Sequence, residues 1–83
     1  MSSDKGQTEV RRVGIAGFGT VGQSVARLLC SGRYPNLLLT HIYNRNIQAK
    51  KVDWVPRHVV WTDRVEDVLD TGVDIFVELI GGL

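Results

Sequence analysis

Gly17, Gly19 and Gly22 stand at the spacing G-x-G-x-x-G within Val13 to Gly22, read V-G-I-A-G-F-G-T-V-G. Glycine at these places removes three separate obstacles. Gly17 lets the backbone turn sharply, Gly19 leaves no Cβ between the loop and an approaching anion, and Gly22 lets a helix pack closely on the strand before it. If Thr20, Val21 and Gly22 open that helix, its first N–H groups lack intrahelical acceptors and its positive dipole end faces the loop. The chemistry is the non-covalent holding of a phosphate-bearing ligand. The same glycines also serve a ligand-free tight turn, so the surrounding elements have to decide.

Those elements are legible in order. Arg12 to Ala16 reads as a buried parallel strand feeding the loop. Val21, Val25, Leu28 and Leu29 then recur at helical spacing as one apolar face, with Gln23, Ser24 and Arg27 opposite and Gly32 placed as the C′ stop. Ser31 to Asn36, with Pro35, is a loop, and Leu37 to Tyr43 is strand two, in which His41 reads as a structural side chain. Ile47 to Trp54 predicts an irregular helical turn ended by Pro56, and Arg57 to Thr62 a third strand. Thr62 or Asp63 is the expected cap of a helix from Arg64 to Asp70, carrying the stripe Val65, Val68 and Leu69 and stopped by Thr71-Gly72. Val73 to Ile80 is strand four, followed by Gly81, Gly82 and Leu83.

Strands alternating with helices through right-handed crossovers predict an α/β, Rossmann-type parallel sheet of order 3-2-1-4, incomplete on its C-terminal side. Its ligand crevice falls at the carboxyl ends of strands one and four, where the order reverses. Gly17 to Thr20 and Gly81-Gly82 both land there. The second glycine pair either lets a flat ring or a phosphate approach the backbone or forms an end without a partner.

Asn44-Arg45-Asn46, directly after strand two, bears on which ligand fits. In an NAD-binding unit an Asp or Glu near this point holds the ribose 2′-hydroxyl and repels a 2′-phosphate. Here Arg45 stands instead, with Lys50 and Lys51 following. A guanidinium pairs with phosphate through its planar fork of donors, so NADP is favoured over NAD. The bland alternative is that the three cations form a solvated surface.

Composition bounds the rest. Eighty-three residues make at most one domain, expected as residues 11–83 behind a disordered polar lead-in over residues 1–10. A net charge of +1 gives no field suited to nucleic acid or an anionic membrane. The apolar run Val73 to Leu83 is interrupted by Asp74 and Glu78 and is too short to span a bilayer. Cys30 is the single cysteine, which leaves no internal disulfide, and with no signal-peptide pattern a cytoplasmic location is expected.

Taken together, G-F-G-T-V-G-Q-S-V-A-R-L-L, the N-R-N after strand two, T-D-R-V-E-D-V-L-D and above all V-D-I-F-V-E-L-I-G-G-L resemble the amino-terminal coenzyme domain of homoserine dehydrogenases, from about Arg11 to Leu83. That family interconverts L-homoserine and L-aspartate 4-semialdehyde with NAD or NADP. The resemblance implies that Phe18, Thr20 and Val21 line the pyrophosphate loop and that Arg45 meets the adenosine 2′-position, with Lys50 or Lys51 assisting. It also implies a following substrate domain that carries the catalytic lysine, so no residue here is named catalytic and the chain alone is expected to be inactive. Glu78, a carboxylate on a strand expected to be buried near the crevice, is the one tempting base, and a structural role is the preferred reading. Two other classes stay open: a free-standing nucleotide-binding regulatory module, which would usually keep an acid after strand two, and the coenzyme domain of another oxidoreductase. Strand four, left as an apolar edge, makes a homo-oligomer the expected assembly if no further domain covers it.

Overall fold

β1 (Arg11–Ala16), β2 (Leu37–Tyr43), β3 (Val60–Thr62) and β4 (Ile75–Glu78) form one parallel sheet of order β3-β2-β1-β4 in the computed structural model, which describes residues 9–79. Of the predicted features, most of the lead-in, Ile80 and the pair Gly81-Gly82 lie outside the described residues. The helices are α1 (Thr20–Leu29), a single turn α2 (Ile47–Lys50) and the short α3 (Val65–Leu69). The expected Rossmann-like α/β sheet is present, with β1 at its centre because the chain moves outward through β2 and β3 and then returns to β1's other side.

Two helical faces differ from the periodicity reading. Val21 and Leu28, expected to face the sheet, are 60% and 46% exposed, and the buried positions of α1 are Gly22 and Ala26. Val25 and Leu29 pack beside Ala26 against the core. The rotation is set by closest approach: Gly22 lies so tightly on the Gly17 carbonyl that the stripe facing inward must run through Gly22, Val25, Ala26 and Leu29. In α3 only Val68 of the expected stripe is fully buried, and Leu69 is exposed. An isolated glycine in β1 explains the fit of this short helix, since a Cβ on Gly14 would collide with Val68 Cγ1.

The element ends also move. Gly32 does take a positive φ of 88°, but the α1 cap is Cys30, so the glycine falls one residue beyond C′. β3 starts at Val60 rather than Arg57, because the Val59 N–H bonds the Pro56 carbonyl at 3.1 Å and keeps the preceding residues in a turn. β4 starts at Ile75 rather than Val73: Asp74 is committed to Arg12, accepting its backbone N–H on Oδ2 at 2.8 Å and donating its own N–H to the Arg12 carbonyl. α3 spans less than Arg64 to Asp70, and Arg64 at its N-cap makes no side-chain cap bond. Asp63 does not cap it. Buried Thr62 braces it, accepting the Arg64 N–H at 3.0 Å and donating to Asp67 Oδ2 at 2.6 Å.

The core lies between the sheet and α1 with the segment after α2. It contains Ile15, Phe18, Ala26, Leu39, Ile42, Val55 and Val59, flanked by Trp54, Trp61 and Leu79. Leu39 and Ile42, three residues apart, both join it because the β1–β2 register slips between Val13 and Gly14, pairing Val13 with Leu39 and Gly14 with His41. The displaced residue, Thr40, donates its hydroxyl to the Val13 carbonyl at 3.4 Å, and this hydroxyl lies 2.9 Å from His41 Nδ1.

Burial lowers the pKa of His41 from its ordinary 6.5, the Arg12 charge lowers it further, and Asp67 opposes both. A base with a depressed folded pKa binds fewer protons folded than unfolded, so its contribution is intact above pH 6.5 and is lost as pH falls through the folded value. Urea midpoints compared at neutral and mildly acidic pH should fall for the parent, and fall less for His41→Gln. An equal decline in both proteins would assign the acid sensitivity to other groups.

Candidate functional site

The glycine loop occupies the carboxyl end of β1, at the point where the strand order reverses. Its backbone is tied to both neighbouring strands: the Gly17 N–H donates to the Tyr43 carbonyl at 2.8 Å, and the Leu79 N–H donates to the Ala16 carbonyl at 2.8 Å. The loop thus begins in register with the ends of β2 and β4.

Each glycine has a distinct physical reason. Gly17 turns out of the strand with φ 113°, a conformation L side chains rarely adopt. A Cβ on Gly22 would collide with the Gly17 carbonyl oxygen and lie 2.9 Å from its carbon. A Cβ on Gly19 would meet nothing within 4 Å, so the space before the helix is open. Gly19 is the N-cap of α1, has no capping side chain, and accepts the first intrahelical bond from the Gln23 N–H at 2.9 Å. The N–H groups of Thr20, Val21 and Gly22 therefore precede the helical ladder, as at any helix start, and the side chains of Thr20 and Val21 are exposed.

Phe18 contributes differently from its neighbours. Its side chain is completely buried, 5.0 Å edge-on from the Trp61 ring and 6.0 Å from Trp54. Only its backbone is available to a ligand, and the ring anchors the loop from beneath.

The Asn44 N–H bonds the Thr62 carbonyl at 3.0 Å, so the residues after β2 start beside the glycine loop and the end of β3. Asn44 Oδ1 accepts the Asn46 N–H at 2.9 Å, closing a local turn that carries Arg45 at its centre. Arg45 is exposed and forms no ion pair among the described residues. Lys50 ends α2 half-buried, and exposed Lys51 lines a hollow of about 490 Å³ with Asp53, Arg57 and Trp61. No glycine-loop residue lines that hollow. A smaller one, about 220 Å³, lies at the amino end of β2 beside Cys30, whose thiol pKa is raised by burial.

Glu78 pairs with Ala16 in the sheet and is exposed, so the burial that would make it a base is missing. Among the described residues no group of three potential metal ligands occurs, and no helix is long and apolar enough to cross a membrane. Sequence reasoning missed Trp54 and the full part of Thr62. Nothing in the local pattern marks the indole, whereas Thr62 stands out in the chain as a cap but not for its bond to Asp67.

The loop and the helix start leave backbone N–H groups outside the helical ladder, and the segment that carries exposed Arg45 begins at the neighbouring end of β2; donors of these kinds can hold a phosphorylated ligand without covalent chemistry. Comparison of the chain with known protein families, with curated proteins and with solved structures finds no match.

Proposed function

We propose that this chain is the NADP-binding portion of an oxidoreductase similar to homoserine dehydrogenase. The observation that carries the reading is the division of labour among the three glycines: a positive φ at Gly17, a backbone-to-backbone fit at Gly22 and open space at Gly19, all at a helix start. A tight turn alone requires the first two and has no use for the third.

The residues fit a dinucleotide. N–H groups of Gly19 to Gly22 bind its pyrophosphate, helped by the helix dipole. Arg45 and Asn44 meet the adenosine 2′-position, where the guanidinium pairs with a phosphate, and Lys50 or Lys51 adds positive charge. When bound, the nicotinamide gives or takes the hydride. The described residues bind and orient, and none is assigned to proton transfer.

Coenzyme preference tests this. A charge-assisted hydrogen bond is worth about 1.5 to 3 kcal/mol, roughly ten- to a hundredfold in affinity, so NADP should bind the parent that much more tightly than NAD. Arg45→Ala should remove most of the preference and leave NAD affinity nearly unchanged, as read by calorimetric titration. Equal NADP affinity for parent and variant would show that Arg45 is only a solvated surface charge.

A further inference from the structure

One indole joins the segment that carries the cations to the glycine-loop half of the proposed coenzyme cradle. Trp54 packs on Phe18, whose ring lies 6.0 Å away and whose backbone joins Gly17 to Gly19. It also lies under the Arg27 guanidinium of α1, 4.2 Å from the ring centroid. Trp54 itself comes three residues after Lys51 on the segment that carries the cations. That segment is pinned at its start by the Asn44 N–H bond to Thr62 and again after α2, where Val52, Trp54 and Val55 pack on the core, the indole being the part of it that meets both the Phe18 ring and the Arg27 guanidinium. Between the pins, α2 is a single turn closed by the Lys51 N–H bond to Ile47. A turn this short has little stability of its own.

We propose that Trp54 is a positioning residue for coenzyme choice: by holding the end of the basic segment against Phe18 and Arg27, it fixes Arg45, Lys50 and Lys51 relative to the pyrophosphate loop and so favours a 2′-phosphorylated dinucleotide. The inference rests on the proposed coenzyme function. The physical basis is ordering entropy. Cations on a tightly pinned segment are arranged before the ligand arrives, whereas one held only by its aliphatic anchors, Val52 and Val55, must be ordered further during binding.

NADP and NAD titrated into the parent, Trp54→Leu and Trp54→Phe make the test. Losing preorganisation at one or two side chains corresponds to roughly two- to tenfold in affinity, so Trp54→Leu should lower the NADP-to-NAD affinity ratio by that factor with NAD affinity little changed. Trp54→Phe, which keeps a ring on Phe18 and under Arg27, should restore most of the ratio. A merely structural tryptophan would weaken both coenzymes together. A parent that binds neither coenzyme, or binds both equally, overturns the coenzyme function and this inference with it. A parent that prefers NADP, with a folded Trp54→Leu of the same ratio, overturns the positioning role alone. If circular dichroism shows that Trp54→Leu does not fold, Arg27→Lys decides, since it keeps the charge and gives up the planar stack. The ratio should then fall by a smaller factor, and an unchanged ratio overturns the proposal.

Discussion

Gly22→Ala is expected to melt roughly 10 °C or more below the parent and to lose coenzyme binding, whereas Gly19→Val should melt within a few degrees of the parent and lose binding all the same. At Gly22 two effects oppose each other. Alanine in a helix gains up to about 1 kcal/mol over glycine, but its methyl would strike the Gly17 carbonyl, which is backbone and has no rotamer to yield. Overpacking costs about 1 to 3 kcal/mol, and a collision with backbone belongs at the upper end, so a net loss near 2 kcal/mol remains. In a domain of this size each kcal/mol moves the melting temperature by about 4 to 8 °C. At Gly19 the terms nearly cancel. The space is open and the backbone, at φ −82° and ψ −154°, is extended, so reduced freedom of the unfolded chain gains about 0.4 to 1 kcal/mol. Loss of a tolerated glycine cap costs a similar amount. Melting curves and titrations on both variants check the pair. A Gly19→Val protein that binds NAD and NADP like the parent would show that the open space holds no pyrophosphate.

Phe18→Ala is expected to be the most destabilising single truncation at the site. A fully buried ring between two indoles is lost, at about 3 to 5 kcal/mol for a phenylalanine in a core. Domains have only about 0.05 to 0.15 kcal/mol of stability per residue, so the loss takes a large share of the total and the urea midpoint should fall steeply. Phe18→Leu keeps apolar volume and should retain a cooperative unfolding transition. Val21→Ala, three residues on but on the exposed side of α1, should change stability by no more than about 0.5 kcal/mol. Urea unfolding followed by circular dichroism separates the three. Comparable losses for Val21→Ala and Phe18→Ala would mean that the helix is turned the other way.

The contrast between Phe18 and Val21 marks the boundary between what local sequence specifies and what only packing decides. Strand order, the glycine turn and the span of β2 follow from local rules: alternation of element types, a known spacing, and an apolar run between two loops. The helix face does not, because Val21, Val25, Leu28 and Leu29 and the observed Gly22, Val25, Ala26 and Leu29 are both acceptable helical stripes. Choosing between them turns on how closely Gly22 approaches Gly17, which the spacing of apolar residues does not register. The start of β4 is similarly decided by a partner remote in sequence, since Asp74 is held by Arg12. At the site, the glycines and the position of Arg45 are legible in the chain, but the aromatic stack joining them is not. Phe18, Trp54 and Trp61 are separated by loops, and no period relates them.

The slip at Thr40 acts on β2 as a change of reading frame. Before it, odd-numbered positions such as Leu39 belong to the core, and after it the even-numbered Ile42 does. Side-chain alternation is reset while the hydrogen-bonded ladder resumes, so Tyr43 still presents its carbonyl to Gly17. A seven-residue strand thus carries two side-chain codes on one continuous backbone. For anyone aligning or grafting this strand, a gap placed at Thr40 is more faithful than one in the flanking loops: removing that residue would merge the frames, whereas trimming the loops would leave both intact but shift the whole strand against the glycine turn.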